Sequence, residues 1–361
     1  MAGSCKVDFF PRWSLIIPVL AWLILAAYMM LDFKGLALIL MVLGLGGTVF
    51  AAVHYAEVVA HKVGEPFGTL VLAIAVTVIE VAMIASMLLM KNNQNLAVAR
   101  DTIFSVVMIV CAGMVGLCIT VGAWKHRVQG FNVKGTAGAL SAIIALTVLT
   151  MVLPTVTSPP ADAFQPSQLI FVGLVSLALY ACFVFVQTVR HRDYFLPEGE
   201  DDISDYAKPT LAQTMVALLI LLICLIAVVL LAKCLSPTVE MLVNIAEMPK
   251  PVVGLVIAAF VLLPEGVAAI RAARRNKLQT SINLAYGSVI ASIGLTIPVV
   301  AFISVLIGKT LILGLNARDI VLLALTVLLN IVTILTGRTN ILQGSILLLV
   351  FASFLFFSVV P

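Results

Sequence analysis

The sequence predicts an all-α polytopic membrane protein of about eleven transmembrane helices, and three observations carry that expectation. Apolar residues make up 62% of the 361-residue chain and charged residues 11%, with a mean hydropathy of +1.19; soluble domains run at roughly 45–50% apolar and about 25% charged. The apolar residues fall in runs close to the ~20 residues that a membrane-spanning helix needs. Those runs follow one another along the whole chain, separated by short polar joints. Lipid offers the backbone no hydrogen-bonding partner, so such runs satisfy their amides internally as helices and not as open sheets. A soluble enzyme is excluded, and no stretch is left for a separate globular domain.

The first run, 13–31, follows Lys6 and Arg12. It is longer than the ~7–15-residue apolar stretch of a signal peptide and lacks a clear cleavage motif, so a retained span is expected. The second, 36–53, carries Gly44-Leu45-Gly46-Gly47, read as close helix packing and not as a phosphate loop. Runs at 69–90, 102–123, 138–153 and 168–188 follow, then the polar segment 190–209, then 211–232, 252–270, 283–307, 318–336 and 341–360. An odd number of spans puts the termini on opposite sides. With the N-terminus in the cytoplasm, 14 Lys and Arg fall inside and 7 outside, which favours that orientation under the positive-inside rule, with the C-terminus outside.

The formal net charge of +4 comes from basic residues scattered between apolar runs, which is no nucleic-acid footprint. The six cysteines form no CxxC pair and read as small buried hydrophobes. No HExxH appears, so zinc protease chemistry has no support. Segment 190–209 gathers Asp193, Glu198, Glu200, Asp201, Asp202 and Asp205; a solvated linker is the default reading, with cation attraction at the cytoplasmic mouth as its functional alternative.

Of seventeen acidic residues, two stand well inside apolar runs: Glu80 and Glu265. Glu80 is about 18 Å along its helix from the inner end, and Glu265 about 9 Å from Arg271. Pro264 makes a helix break beside Glu265 an expectation, because proline lacks a backbone donor. An intramembrane carboxylate costs on the order of 2.5–3.5 kcal/mol on insertion scales, so it faces a cavity or a partner and is a functional candidate. No Lys or Arg lies inside any predicted span to pair with either one.

The two glutamates have similar surroundings. Ser105 follows Glu80 by 25 residues and Ser288 follows Glu265 by 23, each on the next span. The assigned topology sends the two glutamate spans across the membrane in opposite senses, the signature of an inverted repeat with its ion site near the midplane. Thr77 lies three residues before Glu80, and Ser288, Ser292 and Thr296 recur at i, i+4 and i+8 as one polar stripe. These hydroxyls serve either as auxiliary oxygen ligands or as glue bonded to backbone and neighbouring helices. Carboxylate with hydroxyl, carbonyl and water oxygen suits hard cations such as Ca²⁺, and no His or Cys stands near either glutamate in sequence to indicate a transition metal. His54, Glu57, His61 and Glu65 precede the third span on the cytoplasmic side, as a solvated loop or the lining of an inner vestibule.

These residues resemble the calcium/cation exchanger superfamily, specifically the ChaA-type Ca²⁺/H⁺ antiporters of its cation/proton exchanger branch. The resemblance rests on His61-Lys62-Val63-Gly64-Glu65-Pro66-Phe67-Gly68 leading to Val78-Ile79-Glu80, on Leu263-Pro264-Glu265-Gly266 followed by Gly287-Ser288 through Thr296-Ile297-Pro298, and on Thr336-Gly337-Arg338-Thr339-Asn340. It spans essentially the whole chain. It implies an N-terminal extra helix (1–35), two inverted five-helix repeats (36–189 and 210–361), an acidic cytoplasmic loop between them (190–209) and a bacterial inner membrane location. It also implies that Glu80 and Glu265 bind the cation or protons, helped by Ser288 and Ser292. Many members have Gly-Asn ahead of the glutamate where this chain has Val76-Thr77 and Val261-Leu262, and an amide where it has Ile109 and Ala291.

The expected mechanism follows from competition. Two neighbouring carboxylates titrate as a coupled pair, and one Ca²⁺ or two protons each neutralise it. Two loaded forms then cross an apolar barrier that the empty, charged form does not. Transported Ca²⁺, Na⁺ or K⁺ and H⁺ would be the inorganic partners, with the lipid bilayer as solvent and no resident cofactor. The alternatives are a cation channel using the same carboxylates and, with less support, a membrane-embedded enzyme or assembly factor, for which no nucleophile or catalytic pair is found.

Overall fold

The computed structural model describes residues 9–30, 36–63, 67–88, 96–157, 163–195, 209–245, 249 and 251–360. Within them the chain forms eleven helical segments, matching the eleven apolar runs: α1 (Arg12–Met30), α2 (Leu36–Val63), α3 (Phe67–Leu88), α4 (Val98–His126), α5 (Val133–Thr157), α6 (Pro166–Arg190), α7 (Leu211–Ile245), α8 (Pro251–Arg274), α9 (Leu278–Ile307), α10 (Ala317–Leu335) and α11 (Ile341–Val359). Among the described residues nine of these are long and apolar enough to cross a membrane; Arg12–Tyr28 and Ala73–Ala85 are shorter apolar stretches of the other two. Four segments contain a π turn: Ile109–Met114 in α4, Val148–Val152 in α5, Val186–Arg190 in α6 and Ser292–Thr296 in α9.

Three sequence expectations are corrected. The second span does not stop at residue 53: α2 runs on to Val63, so His54, Glu57 and His61 are helical and not in a loop. Polar residues at i, i+3 and i+7 occupy one face and leave the rest of the turn free to pack, so the helix tolerates them. The seventh segment likewise continues past residue 232 and takes in an exposed Lys233. Pro264 does not break α8, which passes through it unbroken; packed neighbours in a bundle compensate for the lost donor. Glu65 and the acidic positions Glu198, Glu200, Asp201, Asp202 and Asp205 lie outside the described residues.

The buried apolar side chains form two clusters. One is built from α1, α2 and α7 with Val98 at the start of α4, the other from α4, α5, α6, α9, α10 and α11. The helices bearing the two glutamates belong to both. On α3, Ala75, Ile79 and Met83 pack into the first cluster and Ile84 and Leu88 into the second; on α8, Val253, Ile257 and Val261 pack into the first and Ala258, Leu262, Ala269 and Ala273 into the second. The two carboxylates therefore ride on the seam between two apolar bodies. The glycine run on α2 packs as expected: a Cβ on Gly44 or Gly47 would stand 3.2 Å and 3.0 Å from Ile24 and Ile17 of α1.

Short polar joints tie the helix ends. A two-stranded antiparallel ladder pairs β1 (Gln129–Gly130) with β2 (Arg338–Thr339), joining the α4–α5 and α10–α11 connections. Gln129 Nε2 donates to the Ala273 carbonyl at 3.0 Å and so brings in α8. At the other end, Lys309 Nζ donates to the Leu88 carbonyl at 2.7 Å, and the Ile312 amide to the Leu96 carbonyl at 3.2 Å.

Candidate functional site

Glu80 is 1% exposed, yet its carboxylate is satisfied. Ser292 Oγ lies 2.7 Å from each of its oxygens and donates to the carboxylate, and Thr296 Oγ1 donates to Oε2 at 3.0 Å. Both hydroxyls come from the π turn of α9, whose wider winding presents Ser292 and Thr296 together to α3; single π turns are frequent at functional sites. Behind this turn α6 packs closely. A Cβ on Gly294 would stand 2.6 Å from Cβ of Tyr180 on α6, so a glycine is required there.

Glu265 is 8% exposed, and its Oε2 is buried without a hydrogen-bond partner among the described residues. It interacts electrostatically with both Glu80 and Glu57. Its helix packs on the π turn of α4: a Cβ on the adjacent Gly266 would stand 3.5 Å from Met114. Each glutamate helix thus meets the π turn of the opposite half. The backing is crossed in the same way, because a Cβ on Gly113 of the α4 turn would stand 3.1 Å from the Phe351 ring of α11, as one on Gly294 of the α9 turn would meet α6. The π turns begin four residues beyond Ser105 and Ser288 respectively, so Ile109 matches Ser292 and Gly113 matches Thr296. The first-half turn therefore offers Glu265 no hydroxyl at either place.

The remaining sequence candidates separate. Thr77 is buried and donates to the Ala73 carbonyl of its own helix at 2.8 Å, the structural role of a hydroxyl in an apolar helix. Ser105 is buried on α4 and Ser288 half-buried on α9; neither is among the described hydrogen-bond partners of Glu80. Glu57 and His61 are exposed on one face of α2. Among the described residues no group of three or more His, Cys, Asp or Glu side chains gathers to hold a metal ion.

Sequence reasoning missed a buried network behind the α4 turn. Tyr286 Oη donates to Asn330 Oδ1 at 2.7 Å, and Asn330 Nδ2 donates to the Cys111 carbonyl at 3.0 Å and to the Thr326 carbonyl at 2.8 Å. The π turn leaves a carbonyl for which an amide on a neighbouring helix supplies the donor. The readable signal was Asn330 itself, an uncharged amide in the middle of an apolar span.

A bundle of membrane-length helices with two buried acidic side chains on crossed, π-turn-backed helices defines a polytopic membrane protein of the cation-carrier type. Comparison with known proteins is specific: the family model of the sodium/calcium exchanger proteins matches residues 33–189 and again 216–360, and the chain belongs to that family. A Sinorhizobium fredii protein, y4hA, is 45% identical over 355 residues, covering 97% of each chain. The sodium-potassium/proton antiporter ChaA of Escherichia coli is 34% identical over 353 residues, covering 95% of this chain and 94% of its own. Among solved structures, native YfkE superimposes with a TM-score of 0.74 at 18% identity, over 97% of this chain and 100% of the other. The H⁺/Ca²⁺ exchanger CAX gives 0.69 at 15% identity, over 97% and 89%. These two likenesses establish the fold.

Proposed function

We propose that the protein is a secondary cation/proton antiporter that exports cytoplasmic Ca²⁺, with Na⁺ and K⁺ as further substrates, against proton influx. The observation that carries this reading is the buried pair Glu80 and Glu265, held on two helices that straddle the seam between the apolar clusters. The double family match supports two halves, 36–189 and 210–361, after an N-terminal helix. Four helices stand between α3 and α8, so a chain that crosses at every helix carries the two glutamates in opposite senses. Cytoplasmic N-terminus and outward C-terminus follow from the basic-residue count.

In this mechanism the empty, doubly ionised pair is the state that burial penalises most. One Ca²⁺ coordinated by both carboxylates, or one proton on each, restores neutrality. Ser292 and Thr296 supply further oxygens on the Glu80 side once their hydroxyls turn from donor to ligand, and water completes the 6–8 oxygens that Ca²⁺ takes. Sliding of the α1–α2–α7 body over the larger cluster would expose the pair to one side at a time, as alternating access requires. Exchange of one Ca²⁺ for two protons is electroneutral; with Na⁺ or K⁺, one carboxyl keeps its proton. Thr77, Ser105 and Ser288 belong to the supporting polar lining in this reading.

The test is transport in proteoliposomes loaded with a pH indicator, with Ca²⁺, Na⁺ and K⁺ compared at several pH values. The expected result is proton movement evoked by, and opposite to, the cation gradient with the membrane potential clamped. Cation flux without obligatory proton movement would make the protein a channel.

A further inference from the structure

We propose that Lys309 and Gln129 are matched positioning residues for the carboxylate pair: each fastens the last turn of one glutamate helix to the end of the π-turn helix of the opposite half. The inference rests on the proposed exchange site, because it assigns the two tethers to the same two glutamates.

The two contacts repeat each other at opposite ends of the molecule. Lys309 Nζ, just beyond α9, donates to the Leu88 carbonyl at 2.7 Å, and Gln129 Nε2, just beyond α4, donates to the Ala273 carbonyl at 3.0 Å. Leu88 comes eight residues after Glu80, and Ala273 eight after Glu265. Both tethers therefore act about 12 Å along the helix from the glutamate, at 1.5 Å per residue. Each carbonyl lies in the last turn of its helix, where the main chain supplies no donor and a side chain is the natural partner. One donor is an ammonium and the other a neutral amide, so the contact is repeated and the residue type is not.

Both donors are themselves held. Ser304 Oγ donates to the Lys309 carbonyl at 2.5 Å and the Lys309 amide to the Ser304 carbonyl at 3.1 Å, which fixes Lys309 to the last turn of α9. Gln129 is 2% exposed, belongs to the β1–β2 ladder and lies so close to α4 that a Cβ on Gly122 would overlap its Oε1. Its Nε2 also donates to Asn276 Oδ1 at 2.9 Å, and Lys125 Nζ of α4 donates to the neighbouring Arg274 carbonyl at 3.3 Å. The glutamate helices α3 and α8 pack against both apolar clusters, whereas α9 and the π turn of α4 belong to the larger one. The tethers decide which body the glutamates follow. When the α1–α2–α7 body slides, α3 and α8 stay with the larger cluster, and Glu80 stays on Ser292 and Thr296.

The test reads Ca²⁺ twice, as the equilibrium Kd of detergent-purified protein and as the KM of Ca²⁺-evoked proton flux in proteoliposomes. Lys309→Met and Gln129→Met should each raise both constants about fivefold, the worth of one hydrogen bond, with the maximal rate retained. Lys309→Arg keeps an N–H donor and should stay within about twofold of the wild type. Lys309→Gln, a shorter donor, should fall between, and it answers the question if Lys309→Met does not fold. Arg318→Met is the control: its guanidinium makes the same kind of bond, to the Phe357 carbonyl of α11 at 2.7 Å, but α11 carries neither glutamate, so both constants should be unchanged. Unchanged constants in either the Lys309 or the Gln129 variant, whatever the thermal midpoint, or an equal rise in Arg318→Met, would overturn the proposal. A wild-type chain that binds Ca²⁺ but moves no protons would sink the antiport reading instead, and the Kd series would still decide on the tethers. A wild-type chain that binds no Ca²⁺ would overturn both.

Discussion

The two halves of the molecule place a glutamate, a following helix and a π turn in matching positions, and yet the two carboxylates meet different chemistry. Glu80 is held by Ser292 and Thr296. Glu265 stands on the helix that packs on the turn carrying Ile109 and Gly113, and it keeps a buried oxygen unpaired among the described residues. The backbone therefore repeats where the side chains do not. Helix crossing and turn geometry set where the carboxylates sit, and the residues at two positions of each π turn set what surrounds them. In the proposed antiport such a site would have a well-ordered pole and an open one.

Among changes that leave both carboxylates in place, the largest expected effect comes from removing the hydroxyls of the ordered pole. Ser292→Ala combined with Thr296→Val takes both donors from a buried carboxylate, each worth about 1.5–3 kcal/mol. Cation-evoked proton flux in proteoliposomes should fall at least about tenfold; an undiminished flux would mean the two halves are functionally alike. Next is the backing of the turns. Gly294→Ala drives a Cβ against Cβ of Tyr180, whereas Gly113→Ala meets the movable ring of Phe351. Overpacking costs about 1–3 kcal/mol, and the thermal midpoint of detergent-purified protein should drop clearly more for Gly294→Ala. Equal drops would remove the difference in rigidity between the turns.

Asn330→Ala should cost about 1–3 kcal/mol by stranding the Cys111 carbonyl and the Tyr286 hydroxyl, read as a lowered midpoint with the Glu80 contacts intact. The smallest effect belongs to Thr77→Val. This hydroxyl bonds its own helix backbone, so flux and midpoint should stay close to wild type, within about 0.5 kcal/mol in stability. A large loss of flux there would extend the hydroxyl shell of Glu80 beyond the α9 turn.

All eleven helices were legible because hydrocarbon leaves the backbone little choice and long apolar runs mark where it applies. Glu80 and Glu265 were legible for the complementary reason, as charges where charge is costly. The inner end of α2 was not. Glu57 and His61 read as a loop by composition, and only the packing around them reveals a helix with one exposed face. The π turns had no sequence signal; they sit where α4 and α9 pack closely against α11 and α6. Without them the stripe Ser288, Ser292 and Thr296 reads as one uniform face, but the hydroxyls recorded on Glu80 are the two inside the turn. Asn330 was visible and its partner was not, because a carbonyl released by a π turn is a property of winding.

The most direct measurement of the central claim is cation-evoked proton movement in proteoliposomes carrying Glu80→Gln or Glu265→Gln, with purified, monodisperse protein confirming that each variant folds. A shared site predicts that each variant alone loses exchange by about a hundredfold or more, the effect of removing ~3 kcal/mol of charged interaction. Exchange at the wild-type rate in either variant would contradict a site that both carboxylates build.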